Sequence, residues 1–189
     1  MSNPLIRYLK LFGDISPDEE LIISVTEYRM YKEGEILLRE HNIARELFFI
    51  CKGVLKITSV NDKGTDVVYF MLKENQLCTM MNSFIHQDAA KGSIVAACDA
   101  EVLVINRTKL YRLYEQRPYI RELITSITQQ RLIDKIEARN TYMGKDAATR
   151  YKHFMMQEPE IALRVPLSDI ASYLGITPQS LSRIRKNLR

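Results

Sequence analysis

Between residues 28 and 105 the apolar side chains fall in short runs rich in Val, Ile, Tyr, Phe and Thr, at 35–39, 46–51, 54–60, 66–72 and 93–105. Runs of this kind predict strands. Gly34, Gly53 and Gly64 mark the turns between them, the last closing a loop that begins at Asn61, where glycine takes a positive φ without strain. Many short strands at this spacing predict a sandwich or barrel. Ahead of them, 17–26 predicts a short helix, with Ser16 as N-cap and Pro17 in the first helical position, where no amide hydrogen is needed.

Past residue 107 the apolar period lengthens to that of a helix. One helix is predicted over 108–115, and Pro118 starts a second that runs to about residue 140, some 36 Å at 1.5 Å per residue. Ile120, Leu123, Ile124, Ile127, Leu132, Ile133 and Ile136 are too many for one narrow stripe. A helix with two neighbours follows: one face on the strands, another on a second copy of the chain, with Ile120, Leu123, Ile124 and Ile127 as the dimer residues. The alternative is a helix buried entirely within its own chain. Tyr142 to Asp146 reads as a hinge because Gly144 interrupts the helix there. Helices follow at 147–157, 167–174 and 178–188. The expected organisation is α+β: a strand domain over 1–115, a long helix and hinge over 116–143, and a helical domain over 144–189.

The segment 165–188 carries the most specific pattern. Ile170, Ala171 and Leu174 share one face of a two-turn helix, Gly175 ends it in the left-handed conformation, and Ile176 closes the small core. Thr177 caps the next helix and Pro178 fits its first position. Leu181, Ile184 and Leu188 then face inward, leaving Gln179, Ser180, Arg183 and Lys186 outward. This is a helix-turn-helix whose second helix presents polar and basic groups to a major groove. Gln pairs in two places with adenine and Arg in two places with guanine, so Gln179 and Arg183 are the expected base readers. Ser168, Thr177, Ser182 and Lys186 are placed for phosphates.

Charge agrees with this division. Residues 1–144 hold 19 Lys+Arg and 19 Asp+Glu, whereas 145–189 hold 8 and 4, so the whole net charge of +4 sits in the tail. A basic segment on a neutral body suits double-stranded DNA. No run approaches the roughly 18 apolar residues of a membrane span, 93–105 being cut by Asp99 and Glu101, and the first ten residues carry no export signal, so a cytoplasmic location is expected. Three separated cysteines, Cys51, Cys78 and Cys98, predict packing thiols rather than a disulfide scaffold.

The order of strand domain, long helix and helix-turn-helix resembles the Crp/Fnr family of bacterial transcription regulators over nearly the whole chain. Tyr31-Lys-Glu-Gly-Glu-Ile, Leu47-Phe-Phe-Ile-Cys-Lys-Gly-Val-Leu-Lys-Ile and Asp62-Lys-Gly-Thr match the family's cyclic-nucleotide-binding-type jelly roll, and the tail from Val165 is similar to members from the Bacteroidetes group. The resemblance implies a homodimer on a pseudo-palindromic operator, an effector in the roll and contact with RNA polymerase. Met71, Cys78, Met80, Met81 and Phe84 either line an apolar effector pocket or simply fill the core.

Three departures qualify what the resemblance implies. Cyclic-AMP-binding members carry a Gly-Glu pair and an Arg with a small hydroxyl residue, whereas the segment 75–94 has no Glu and no Arg, and Lys91 is a point charge that cannot match a fork. Cyclic AMP is therefore not expected to bind usefully. Oxygen-sensing members hold an iron-sulfur cluster on four cysteines, more than this chain has, and His41, His86 and His153 are scattered, so no metal or cofactor is expected. Family members continue into a small wing, whereas the sequence here ends at Arg189. No catalytic triad, phosphate loop or paired-acid motif is present, which argues against an enzyme. A ligand-binding module with a vestigial DNA-binding head is the alternative.

Overall fold

The computed structural model describes residues 3–61, 64–142 and 144–187. Asp62 and Lys63 of the hairpin loop, Met143 of the hinge, and Leu188 and Arg189 lie outside the described residues. Eight strands form two antiparallel sheets. The first has the order β1 (Thr26–Tyr31), β8 (Ala100–Asn106), β3 (Glu46–Lys52), β6 (Leu77–Cys78); the second has β2 (Ile36–Leu38), β7 (Ser93–Ala96), β4 (Leu55–Val60), β5 (Asp66–Leu72). Phe48, Ile50, Leu55, Ile94, Val102 and Val104 fill the space between them as a jelly roll does. Phe48 is almost fully enclosed and contributes about 1.5–3 kcal/mol by leaving water.

The run expected as one strand over 93–105 is two strands, because the chain turns at 97–99 and crosses from one sheet to the other. That turn is held by Ala97 donating to the Val54 carbonyl at 2.8 Å and by Asp99 accepting from the Glu33 amide at 3.0 Å. The helix expected over 17–26 is also shorter. A 3-10 turn, Ser16–Asp18, leads into α2 (Glu19–Ser24), and Thr26 already pairs with Ile105 in the first sheet. Ser16 caps nothing; its amide donates to the Asp14 side chain at 2.9 Å. The short elements α1 (Pro4–Leu9), β6 and α3 (Met81–His86) carry too few periods to be read from pattern alone.

After β8 come α4 (Arg107–Gln116) and α5 (Pro118–Tyr142). Ile120, Ile124 and Ile127 are buried with Leu5, Leu9, Phe49 and Leu110, and Leu123 packs against the same cluster. These four side chains are therefore occupied within the chain, which corrects their expected placement on a dimer surface. The N-terminal α1, unseen in the pattern, adds Leu5, Ile6, Tyr8 and Leu9 to that cluster. The apolar positions left open lie farther along, at Leu132, Ile133 and Ile136, each about half exposed at 51%, 48% and 51%. Asp18 ties the start of α5 to the N-terminal segment, accepting from Arg117 Nε and the Tyr119 hydroxyl at 2.7 Å each.

Candidate nucleic-acid interface and effector cavity

The C-terminal domain comprises α6 (Ala147–Gln157), α7 (Pro159–Arg164), α8 (Leu167–Tyr173) and α9 (Pro178–Asn187). Gly175 has φ 65°, and the amides of Gly175 and Ile176 return to the carbonyls of Ser172 and Ala171 at 3.0 Å each. This pair of bonds satisfies the last carbonyls of α8 and sets the angle at which α9 departs. Thr177 Oγ1 accepts from the Ser180 amide at 3.1 Å, capping α9. Ile170, Ala171, Leu174 and Leu181 are buried where the two helices meet.

The outward face of α9 is open. Gln179, Ser182, Arg183 and Lys186 are exposed, as are Ser168 on α8 and Thr177. Gln179, Arg183 and Lys186 make no hydrogen bond or ion pair among the described residues. Ser180 is half-buried and its hydroxyl accepts from Thr177 at 3.0 Å, so Ser180 and Thr177 serve the cap first. Gln179 and Arg183 stand about one turn apart on the N-terminal half of the helix, the spacing at which two side chains reach neighbouring base edges.

The same domain is docked on the roll, which no sequence pattern signalled. Val54, Val68, Met71 and Ala97 of the roll share one buried cluster with Tyr151, Phe154, Ile161 and Val165. Lys56 Nζ lies 2.7 Å from Asp169 Oδ2 with both side chains largely enclosed, and the Val68 amide donates to Ser172 Oγ at 3.0 Å. Glu74 accepts both guanidinium branches of Arg164 and the Gly53 amide, and Lys73 reaches Glu158 at 2.9 Å. The docked surface is α6, α7 and α8, and it leaves α9 facing away.

Glu74 makes this docking sensitive to acid. Burial pushes its carboxyl up, but hydrogen bonds from Arg164 and backbone amides outweigh that and hold it below its ordinary 4.5. A lowered value means the contribution is full above pH 4.5 and is lost as pH falls through the lowered value. Small-angle scattering should therefore show expansion on going from neutral to acid pH, with Glu74→Gln already expanded at neutral pH. Coincident radii for the two proteins at both pH values would remove Glu74 from the docking contact.

A cavity of about 660 Å³ opens between the second sheet, α3 and the middle of α5. Ligand cavities of a few hundred to a thousand Å³ are ordinary. Of the five residues expected at a pocket, Met80 and Met81 line it. Met71, Cys78 and Phe84 do not. Met71 lies on the face of β5 turned toward the docked domain, Cys78 is enclosed in the sandwich, where burial pushes its thiol up to about 12, and Phe84 packs beside the Tyr111 ring. Phe70 and Leu72, on either side of Met71, line the cavity by alternation, and Tyr69 joins them where the β4–β5 register shifts between Ile57 and Thr58. The lining includes Lys91, Arg131 and Lys135 and no Asp or Glu. Arg131 and Lys135 were missed because they fall on the helix read only as a packing element.

Among the described residues no group of His, Cys, Asp or Glu is arranged to hold a metal ion, the three cysteines are free thiols, and no helix is long and apolar enough to cross a membrane.

Residues 28–117 match the model of the cyclic nucleotide-binding domain. A 91-residue stretch, 48% of the chain, is 29% identical to the anaerobic regulatory protein of Bacillus subtilis and spans 38% of that protein's length. The fold is shared with the c-di-GMP-responsive global regulator CLP of Xanthomonas campestris, at 19% identity and a TM-score of 0.71 over 92% of this chain and 91% of that one. It is shared equally with FixK2 of Bradyrhizobium japonicum, at 17% identity and a TM-score of 0.74 over 87% and 84%.

Proposed function

We propose, for a chain whose residues 28–117 match the cyclic nucleotide-binding domain and whose fold is shared with CLP and FixK2, that it is a homodimeric, sequence-specific DNA-binding transcription regulator of the Crp/Fnr type. The observation that carries this reading is the open face of α9, where Gln179, Arg183 and Lys186 stand without partners among the described residues. Gln179 and Arg183 read base edges, while Ser168, Ser182 and Lys186 meet phosphates.

Leu132, Ile133 and Ile136 pair α5 with its equivalent in a second copy, and two α9 helices then enter successive major grooves about 34 Å apart. An effector in the cavity touches α5 and β5 at once, the helix that pairs the copies and the strand on which the DNA-binding domain is docked. Ligand binding then shifts the population of head arrangements. Cyclic AMP is a poor candidate for that effector, because the cavity lining has no carboxylate for a ribose and its arginine comes from α5 rather than the roll. By resemblance, RNA polymerase is the partner at the promoter.

Selection from a random duplex library at about 0.15 M salt, where phosphate attraction is partly screened, should enrich an inverted repeat. Failure to enrich any sequence would sink the proposal. Changing Ile133 and Ile136 together to Glu should convert a dimer to a monomer by sedimentation and reduce binding to the full repeat to that of one half-site. A dimer that survives those changes would place the pairing surface elsewhere.

A further inference from the structure

We propose that the cavity is the site of an amphipathic monoanion, an apolar chain or ring bearing one carboxylate, whose head pairs with Lys135 and Arg131 while its body lies against Phe70, Ile57 and Met80. This inference rests on the reading of the roll as an effector domain and names the chemical class of the effector.

Charge makes the first argument. Lys91, Arg131 and Lys135 bring three cations to the cavity wall, and no carboxylate lines it. Lys135 and Arg131 are four residues apart on α5, so their side chains leave the same face one turn from each other. Lys135 is partly buried and donates to the Met71 carbonyl at 3.0 Å, with its ammonium 5.7 Å from the centre of the Phe70 ring. It forms no ion pair among the described residues. An ammonium has three donors, so two remain for a ligand. Burial is the main cause that pulls its proton affinity below the ordinary 10.5, and it outweighs the attraction of the Glu158 carboxylate, which forms no ion pair with it. Arg131 is held at the rim by Tyr8, whose hydroxyl is 3.3 Å from its Nε, and by Asp134 at 3.8 Å, leaving a branch of the fork open.

Apolarity makes the second. Ile57, Phe70, Leu72, Leu77, Met80 and Leu132 form a continuous apolar part of the wall, beside hydroxyl and amide groups such as those of Thr79, Asn82 and Thr128. A nucleotide would bring a ribose diol to a lining that holds no carboxylate to accept from it, and unmatched polar groups lose affinity. An apolar body with a single charged end fits both halves. The methionines also adapt to chain or ring without a fixed shape.

The test uses the full chain with decanoate and 4-phenylbutyrate as probes, 1-decanol as the uncharged match, and cyclic AMP and c-di-GMP as nucleotide arms, read by calorimetry. Either carboxylate should bind saturably, one site per chain, and the better of the two identifies chain or ring. Decanoate should bind at least about tenfold more tightly than 1-decanol, since a charge-assisted contact is worth more than about 1.4 kcal/mol. Lys135→Met should remove that difference, and Arg131→Gln, a surface change that keeps the fold, should reduce it. Equal binding of acid and alcohol, retention of the difference in both variants, binding of a nucleotide alone, or binding of none would each overturn the proposal. The assay contains no DNA, so its failure leaves the reading of α9 standing, and failure of the duplex selection leaves this site standing.

Discussion

Arg183→Ala should weaken binding to the selected operator by about 1–3 kcal/mol for each head, so roughly fivefold to 150-fold on a half-site and more on the full repeat, and should relax base preference at one position of each half. Arg183 is exposed on the N-terminal half of α9, outside the buried contact of Leu181 with Ile170 and Leu174, so the truncation leaves the domain folded. Lys186→Ala is the comparison. A phosphate contact contributes to every sequence alike, so its loss should lower affinity uniformly and reduce the salt dependence by about one counterion per head. Titrations at several salt concentrations on the operator and on a duplex with the proposed guanine replaced separate the two effects. If Arg183→Ala keeps its base preference and changes only the salt slope, Arg183 is a phosphate contact and another residue reads the base.

Gly53→Ala should cost far more stability than the same change at an open turn. Gly53 has φ 94°, and a Cβ placed there would lie 2.4 Å from the Asp99 carbonyl oxygen and 2.7 Å from the Ala100 Cα, both backbone atoms that have nowhere to retreat. That backbone is the turn by which the chain passes from β7 to β8, so relieving the clash means parting strands of the two sheets. Left-handed strain of about 1–2 kcal/mol and overpacking of about 1–3 kcal/mol add to about 2–5 kcal/mol, against a total of about 5–15 kcal/mol for a domain. Gly34→Ala isolates the clash: its φ is 84°, yet nothing lies within 4 Å of the added carbon, so it should lose about 1–2 kcal/mol from backbone strain alone. Denaturant unfolding of the two variants checks the difference, and equal losses would mean that the turn at 97–99 yields. The Gly53 amide also donates to Glu74 at 2.7 Å, so displacement here should loosen the docked C-terminal domain as well.

What could be read in advance differs from element to element for physical reasons. The strands at 46–52, 55–60 and 66–72 are dense in apolar side chains and bounded by glycine turns, and they formed within a residue or so of expectation. The helix-turn-helix was readable because its determinants are local: Gly175, Thr177 and the inward spacing to Leu181 act over a dozen residues. α1 and α7 were not seen, since six residues hold fewer than two turns and each is kept helical by what it packs on. The allocation of α5 was likewise beyond pattern. Ile120 and Ile136 are alike as residues, yet one is buried within the chain and the other half exposed.

The linear sequence determined the parts that depend on near neighbours: a strand-rich domain, a long helix, a two-helix head with Gln179 and Arg183 on its outer face, and all the net charge in the tail. The tertiary structure alone decided which apolar faces are occupied and which charges meet. Lys56 finds Asp169 across 113 residues, Arg164 finds Glu74 across 90, and Arg131 and Lys135 turn a packing helix into the charged wall of a cavity. Such pairings leave no periodic trace because they depend on the distance between elements in space, and that distance is set by the packing of the whole chain.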